Sequence, residues 1–359
     1  MRRARTSKAR LKLLGTGALF GTVVAAATSV MLLRTNEPIA CERSLPLTIA
    51  ATPAIAPTIQ AIIDRDIQLP CVEIRVAAQT AIETAGAVAV ADSEMPALWI
   101  PDAALWPQRA AQQAASVAGT PSIERREPLA ISPLVLVTTG MNGLGWPDAP
   151  PLSWQDLIGS QATDMITTIP DPLSTTEGLT TLAAVHGLVS APKPELVATL
   201  PQIARNAAPS IQSAYDRLSS GGEPFAFIAT EQSVVSYNRA TASVPTPRDG
   251  ANRSAVAIYP KEGTIALEYP LVRVAEPDEP PAIADLADRV ERTLRTPAAI
   301  SGLLAAGFRS PQGDLDPAIA ASLGVPPSKP ELLPSPTAEQ ATDVLRAWST
   351  MTLASRAAR

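Results

Sequence analysis

Short apolar runs alternating with amphipathic stretches constrain this chain more than any other feature of its sequence. Leu47–Ala51 is a continuous apolar run, and Thr52-Pro53 after it reads as a cap and first turn of a helix carrying Ile55, Ile59, Ile62 and Ile63 at helical spacing. Residues 72–77 alternate as a half-buried strand does, Thr80–Ala87 is helical, and Ala97–Ile100 is a third strand. Asp102 then stands where a helix N-cap belongs, ahead of Leu105, Trp106 and a run of alanines. Strand, helix, strand, helix in this rhythm predicts an α/β fold with helices on both faces of a parallel or mixed sheet.

The rhythm breaks near residue 122. Ser122–Pro128 and Ile131–Thr139 are long extended segments with no helix between them, which reads as a crossover out of a first lobe. An apolar run, Met165–Ile169, then leads into Asp171-Pro-Leu-Ser-Thr-Thr-Glu-Gly178 and a helical segment through His186. Ser174 and Glu177 have the S-x-x-E spacing of a capping box. Phe225–Ala229 is another buried strand, and Thr230-Glu231 opens a helix. Ser254–Tyr259 and Ala266–Val274 read as the return to the first lobe, followed by helices at Pro281–Arg295 and Ala298–Ala306. The organisation expected is therefore residues 45–135 with 254–310 as lobe 1 and residues 136–253 as lobe 2. Residues 311–336 read as a Pro-rich linker. Residues 337–355 form an amphipathic helix, opened by a Thr337/Gln340 capping box and striped by Val344, Leu345, Trp348 and Met351.

The N-terminus carries a membrane signal. Residues 1–12 hold six Lys or Arg, and the uncharged run Leu13–Leu33 is long enough to cross a bilayer as a helix. Basic residues stay cytoplasmic, so everything after Arg34 is expected outside. The apolar run continues through Val30–Leu33, beyond the small residues Ala25–Ala27 where a secretory signal would be cut. That favours an anchor over a cleaved signal peptide. Seven Lys or Arg and no acid fall in residues 1–34, which leaves 22 bases against 34 acids in the remainder. So acidic an ectodomain argues against a nucleic-acid partner.

Cys41 and Cys71 are the only cysteines, each a few residues ahead of a strand. In an oxidising compartment they are expected to pair, closing a loop of about 30 residues for about 3 kcal/mol. With two cysteines and the single His186, no Cys/His zinc site is available, and no cofactor is expected. Neither G-x-S-x-G, a P-loop nor G-x-G-x-x-G occurs, so hydrolase and nucleotide readings have no foothold and no enzymatic activity is expected. Asp102 and Glu177 have the residue type of a glycosidase pair, but both occupy helix N-terminal positions that capping explains.

The order of Leu47-Thr-Ile-Ala-Ala-Thr-Pro53, Trp99-Ile-Pro-Asp-Ala-Ala-Leu-Trp106, Pro133–Thr138, Asp171–Gly178 and Phe225–Glu231 resembles the successive cleft segments of bacterial extracellular solute-binding proteins of the molybdate/sulfate-like kind. It is similar to actinobacterial membrane-anchored members often fused to a von Willebrand A domain, whose D-x-S-x-S motif is absent here. The resemblance implies the two-lobed, type II periplasmic-binding-protein-like fold, with two crossover strands following the N-terminal transmembrane helix. It also implies a small solute held in an interlobe cleft by Thr52, Asp102, Trp106, Ser174, Thr175, Thr176, Thr230 and Glu231. Asp102, Glu177 and Glu231 put carboxylates where oxyanion sites use neutral groups, with no Lys or Arg beside them in sequence. A neutral, cationic or zwitterionic solute is therefore expected instead of a bare oxyanion, or else a cleft that has lost ligand binding. A second reading uses the same fold as a membrane-anchored sensor or interaction domain that binds a cell-envelope protein partner.

Overall fold

The computed structural model describes residues 44–115, 119–139, 153–154, 166–188, 203–204, 206–220, 225–242 and 254–357. The anchor segment 13–33 and Cys41 lie outside them. Among the described residues no helix is long and apolar enough to cross a membrane.

The strands lie where the apolar runs place them. β1 (Leu45–Ala51) runs parallel to β2 (Val72–Ala78) on one side and to β3 (Leu98–Ile100) on the other. Helices α1 (Ala56–Asp66), α2 (Ala81–Ala89) and α3 (Leu105–Ala114) make the connections. α2 is set by a complete capping box between Thr80 and Glu83. α1 buries Ile59, Ile62 and Ile63, the apolar stripe of its sequence.

The two extended segments expected after residue 122 are one strand, β4 (Ser122–Thr139), interrupted by a register shift around Pro128. Its first part, from Ser122 to Pro133, pairs antiparallel with β8 (Ala266–Ala275). Its second part, from Leu134 to Thr139, pairs with β6 (Phe225–Thr230) and β7 (Ala255–Ile258). β5 (Ile166–Thr168) completes the far edge, parallel to β6. The sheet order is β2-β1-β3-β8-β4-β6-β5, with β7 branching from β4. β4 and β8 are thus the two crossovers, and β4 passes from one lobe to the other at Pro133–Leu134. The second lobe adds α4 (Thr176–Leu188), α5 (Ile211–Ser220) and α6 (Glu231–Thr241).

The chain then returns to the first lobe through α7 (Pro281–Leu294) and α8 (Pro297–Ala305). Arg309, directly after α8, is the point where the return is fixed. Its backbone exchanges both hydrogen bonds with Ile131 at 3.0 Å. Its side chain, 1% exposed, forks onto Glu231 at 2.6 and 2.7 Å. Tyr259 also donates to Glu231, and the guanidinium donates to the carbonyls of Gly313 and Pro326 at 2.9 and 3.0 Å. The expectation that no basic residue accompanies Glu231 is corrected: its partner is 78 residues away in sequence.

The Pro-rich segment 311–336 is not a free linker. It contains a short helix, α9 (Pro317–Ser322), and buries Ile319 and Val325 against the second lobe. Gly324 accepts from Ala257 N–H at 2.9 Å, and Glu331 and Leu333 bracket Thr264 at 2.8 and 2.7 Å. Proline fixes the backbone without ending these contacts, because the segment uses the carbonyls and amides that its other residues retain. It delivers the chain to α10 (Ala338–Ala357), which packs on α3 of the first lobe and α4 of the second. Ala341, Val344 and Trp348 are its buried face, and the Trp348 indole donates to Asp171 Oδ1 at 3.2 Å.

Breaking a fully buried ion pair strands a charge in a medium that cannot solvate it. Arg309→Met is therefore expected to destabilise the protein by about 3–5 kcal/mol. Adding Glu231→Gln should recover part of that loss, because it removes the stranded charge. Urea denaturation of the two variants measures both values.

Candidate functional site

The carboxyl ends of parallel strands, with the helices that start from them, are where open α/β sheets hold ligands. Here β1 and β3 end side by side. Thr52, just after β1, donates its N–H to Ile100 O at 3.2 Å, and Asp102 lies two residues beyond Ile100. From the other lobe, the turn after β5 brings in the start of α4. The two sets of residues touch. Thr176 Oγ1 donates to Asp102 Oδ1 at 2.8 Å and accepts from the Trp106 indole at 3.1 Å. Asp102, Trp106 and Thr176 are thus joined across the lobes, although Thr176 lies 74 and 70 positions from Asp102 and Trp106 in sequence.

This contact depends on a cap one residue away from where the spacing predicts it. Thr175, not Ser174, caps α4: its Oγ1 accepts from Gly178 N–H at 3.2 Å and donates to Asp171 O at 2.9 Å. Ser174 is exposed and donates to the carbonyls of Asp171 and Pro209. The Ser174/Glu177 capping box is not formed, and Glu177, in the first turn of α4, lies within electrostatic reach of Asp102. Gly178 makes the turn close enough for this. A Cβ there would lie 2.1 Å from the Pro170 carbonyl oxygen and 2.8 Å from Thr175 Oγ1, so only glycine fits.

The cap expected at Asp102 is likewise not made. The N-cap of α3 is Ala104, with no side-chain hydrogen bond, and Asp102 is committed to Thr176 instead. Thr52 does not cap α1 either, because that helix begins after Ile55. The Thr52 hydroxyl is buried without a hydrogen-bond partner, as are those of Thr180 and Thr181, one turn along α4 from Thr176 and Glu177. Thr230 does cap its helix, accepting from Ser233 N–H at 3.2 Å, and Glu231 is consumed by Arg309. Of the eight residues expected to touch a solute, Asp102, Trp106 and Thr176 converge by direct contact, with Thr52 beside them. Ser174 and Thr175 build the turn, and Thr230 and Glu231 hold α6 and the hinge.

The electrostatics follow from this placement. Burial raises the Asp102 carboxyl to about 6, against hydrogen bonds from Thr176 and Trp106 that favour its ionised form. Burial, and then the negative charge of Asp102, push Glu177 up to about 7. Tyr269, packed edge-on to Phe308, is held protonated by burial and by both carboxylates. No local sequence motif marks Tyr269, Thr180 or Thr181. Thr180 and Thr181 stand at i+4 from Thr176 and Glu177, the one signal that would have found them.

Two α/β lobes joined by two crossover strands, with side chains from both lobes meeting at helix N-terminal ends, define a type II periplasmic-binding fold. The chain belongs to the bacterial extracellular solute-binding protein family, whose model matches residues 47–309. Among solved structures it is similar to a periplasmic thiamin binding protein, at 14% identity and a TM-score of 0.62 over 88% of this chain and 97% of that one. The ferric binding protein from Campylobacter jejuni follows at 12% identity and 0.59, over 85% and 99%. The sulfate-binding protein SubI from Mycobacterium tuberculosis gives 19% and 0.51, over 77% and 89%. At these identities the likeness is one of fold. No curated protein sequence matches.

Carboxyls whose folded-state values are raised bind more protons folded than unfolded, so they favour the folded state less as pH rises. For Asp102 and Glu177 that loss runs from about pH 4, near their ordinary values, to about pH 7. Glu177→Gln removes one of the two charges. It is expected to stabilise the ligand-free protein by about 1–2 kcal/mol at pH 8 and to leave it nearly unchanged at pH 4.5. Thermal unfolding across that range measures the difference.

Proposed function

We propose that this chain is an extracytoplasmic solute receptor that holds a small molecule between its lobes, against Asp102, Trp106, Thr176 and Glu177. The observation that carries the reading is the three-way contact of Thr176 with Asp102 and Trp106. It couples the first lobe to the second at the point where both sets of strand ends converge. A solute seated there engages both lobes at once, which is how a two-lobed receptor converts binding into closure.

The solute is not a bare oxyanion. Each ionised carboxylate at this end repels a tetrahedral anion by about 1–4 kcal/mol at contact distance. Two are present, and Glu231, which is neutralised by Arg309, adds no third. Residues 13–33 tether the receptor to the membrane with its C-terminal part outside. Cys41 pairs with Cys71, which lies at the start of β2 with its carbonyl accepting from Leu45 N–H at 2.8 Å, four residues after Cys41 in sequence.

Isothermal titration of the full chain in detergent with molybdate, sulfate and phosphate is expected to show no micromolar binding. Binding of any of the three would overturn the charge argument. A metabolite panel in which no solute raises Tm would overturn the receptor reading. Thiol labelling tests the disulfide: no reactive cysteine before reduction and two after.

A further inference from the structure

We propose that the interlobe site selects an organic cation bearing N–H donors, such as a primary ammonium or a guanidinium, held between Asp102 and Glu177 and hydrogen-bonded by the hydroxyls of Thr52, Thr180 and Thr181. The inference rests on the receptor reading and specifies the chemistry of its ligand.

Charge is the first support. Asp102 approaches from the first lobe just ahead of α3, and Glu177 from the second lobe in the first turn of α4. A helix N-terminus contributes roughly half a positive charge. Two such ends therefore offset about one of the two carboxylates, and a single positive charge on the ligand offsets the other. Arg109, on α3, does not supply it. Its Cζ lies 5.9 Å from the Trp106 ring centroid, and it forms no ion pair with either carboxylate.

The hydroxyls are an independent support. Thr52, Thr180 and Thr181 are at most 3% exposed, and their Oγ1 atoms have no hydrogen-bond partner. A hydroxyl buried without a partner costs stability, and such groups are rare in native proteins. Thr180 and Thr181 follow Thr176 and Glu177 by one helical turn, and Thr52 adjoins the strand end that leads to Asp102. Each can accept an N–H from a ligand seated on the carboxylate pair. A quaternary ammonium has no N–H to give them. A metal ion needs four or more ligands, and among the described residues no group of three or more His, Cys, Asp and Glu side chains is placed to hold one. Trp106, whose indole donates to Thr176, brings an aromatic ring suited to a cation to the same contact.

The test uses the full chain in detergent at pH 7.5, titrated calorimetrically with agmatine, spermidine, choline, glucose and sulfate. Agmatine or spermidine is expected to bind, with affinity falling at least 30-fold in both Asp102→Asn and Glu177→Gln. Each variant's ligand-free Tm verifies its folding. Thr180→Val is expected to weaken binding about 5-fold while leaving that Tm unchanged or raised. Binding of choline, glucose or sulfate alone, or cation binding that survives both carboxylate substitutions, overturns the assignment of an N–H-bearing cation while leaving a solute receptor in place. If none of the five binds, the cation assignment falls. If the wider metabolite panel is silent too, the receptor reading falls with it.

Discussion

Everything else in the molecule is arranged around one strand that pairs with strands of both lobes. β4 gives its first twelve residues to β8 and its last six to β6 and β7, so the lobes are not separate bodies joined by loops. Their relative orientation is set by how one backbone leaves one ladder and enters the next. That exchange leaves polar groups at the hinge which neither sheet pairs, and the structure supplies partners from a distance. Ser132 accepts from Gln232 N–H, Thr264 donates to Leu134 O, and Arg309 closes on Ile131 and Glu231 together. The ladder changes hands at Pro133–Leu134.

The parts that were legible in the sequence share one property: their signals are local. The runs that became β1, β2, β6 and β8 announce themselves through composition and alternation. The Thr337–Gln340 capping box forms as its three-residue spacing requires. The parts that were not legible are long-range pairings of charge. Nothing near Glu231 in sequence indicates that Arg309 will neutralise it. Nothing near Asp102 indicates that its hydrogen bond will go to Thr176 instead of its own helix. The proline content misleads for a related reason: a proline-rich stretch reads as mobile by composition, yet residues 311–336 are pinned by Ile319, Val325 and backbone hydrogen bonds to β7 and Thr264.

The most consequential difference between expectation and structure is a single residue in length. With the cap at Ser174, Glu177 would close a capping box and offer nothing to the crevice. With the cap at Thr175, helix α4 begins one step later, Gly178 occupies the tight third position, and Glu177 feels the charge of Asp102. Both caps satisfy the same helix end at similar cost, so local sequence does not choose between them. In the observed arrangement Thr176 reaches Asp102 and Trp106, contacts that favour the cap at Thr175.

α10 rests on both lobes, and this bears on time more than on strength. Any swing of one lobe from the other must lift the helix from α3 or from α4, exposing alanine contacts on one side or Trp348 on the other. That cost falls equally on a solute entering and on a solute leaving, because both must cross the same opened state. A receptor with such a brace exchanges its cargo slowly in both directions. Shortening the chain at residue 337 would quicken the exchange without rewriting what is recognised.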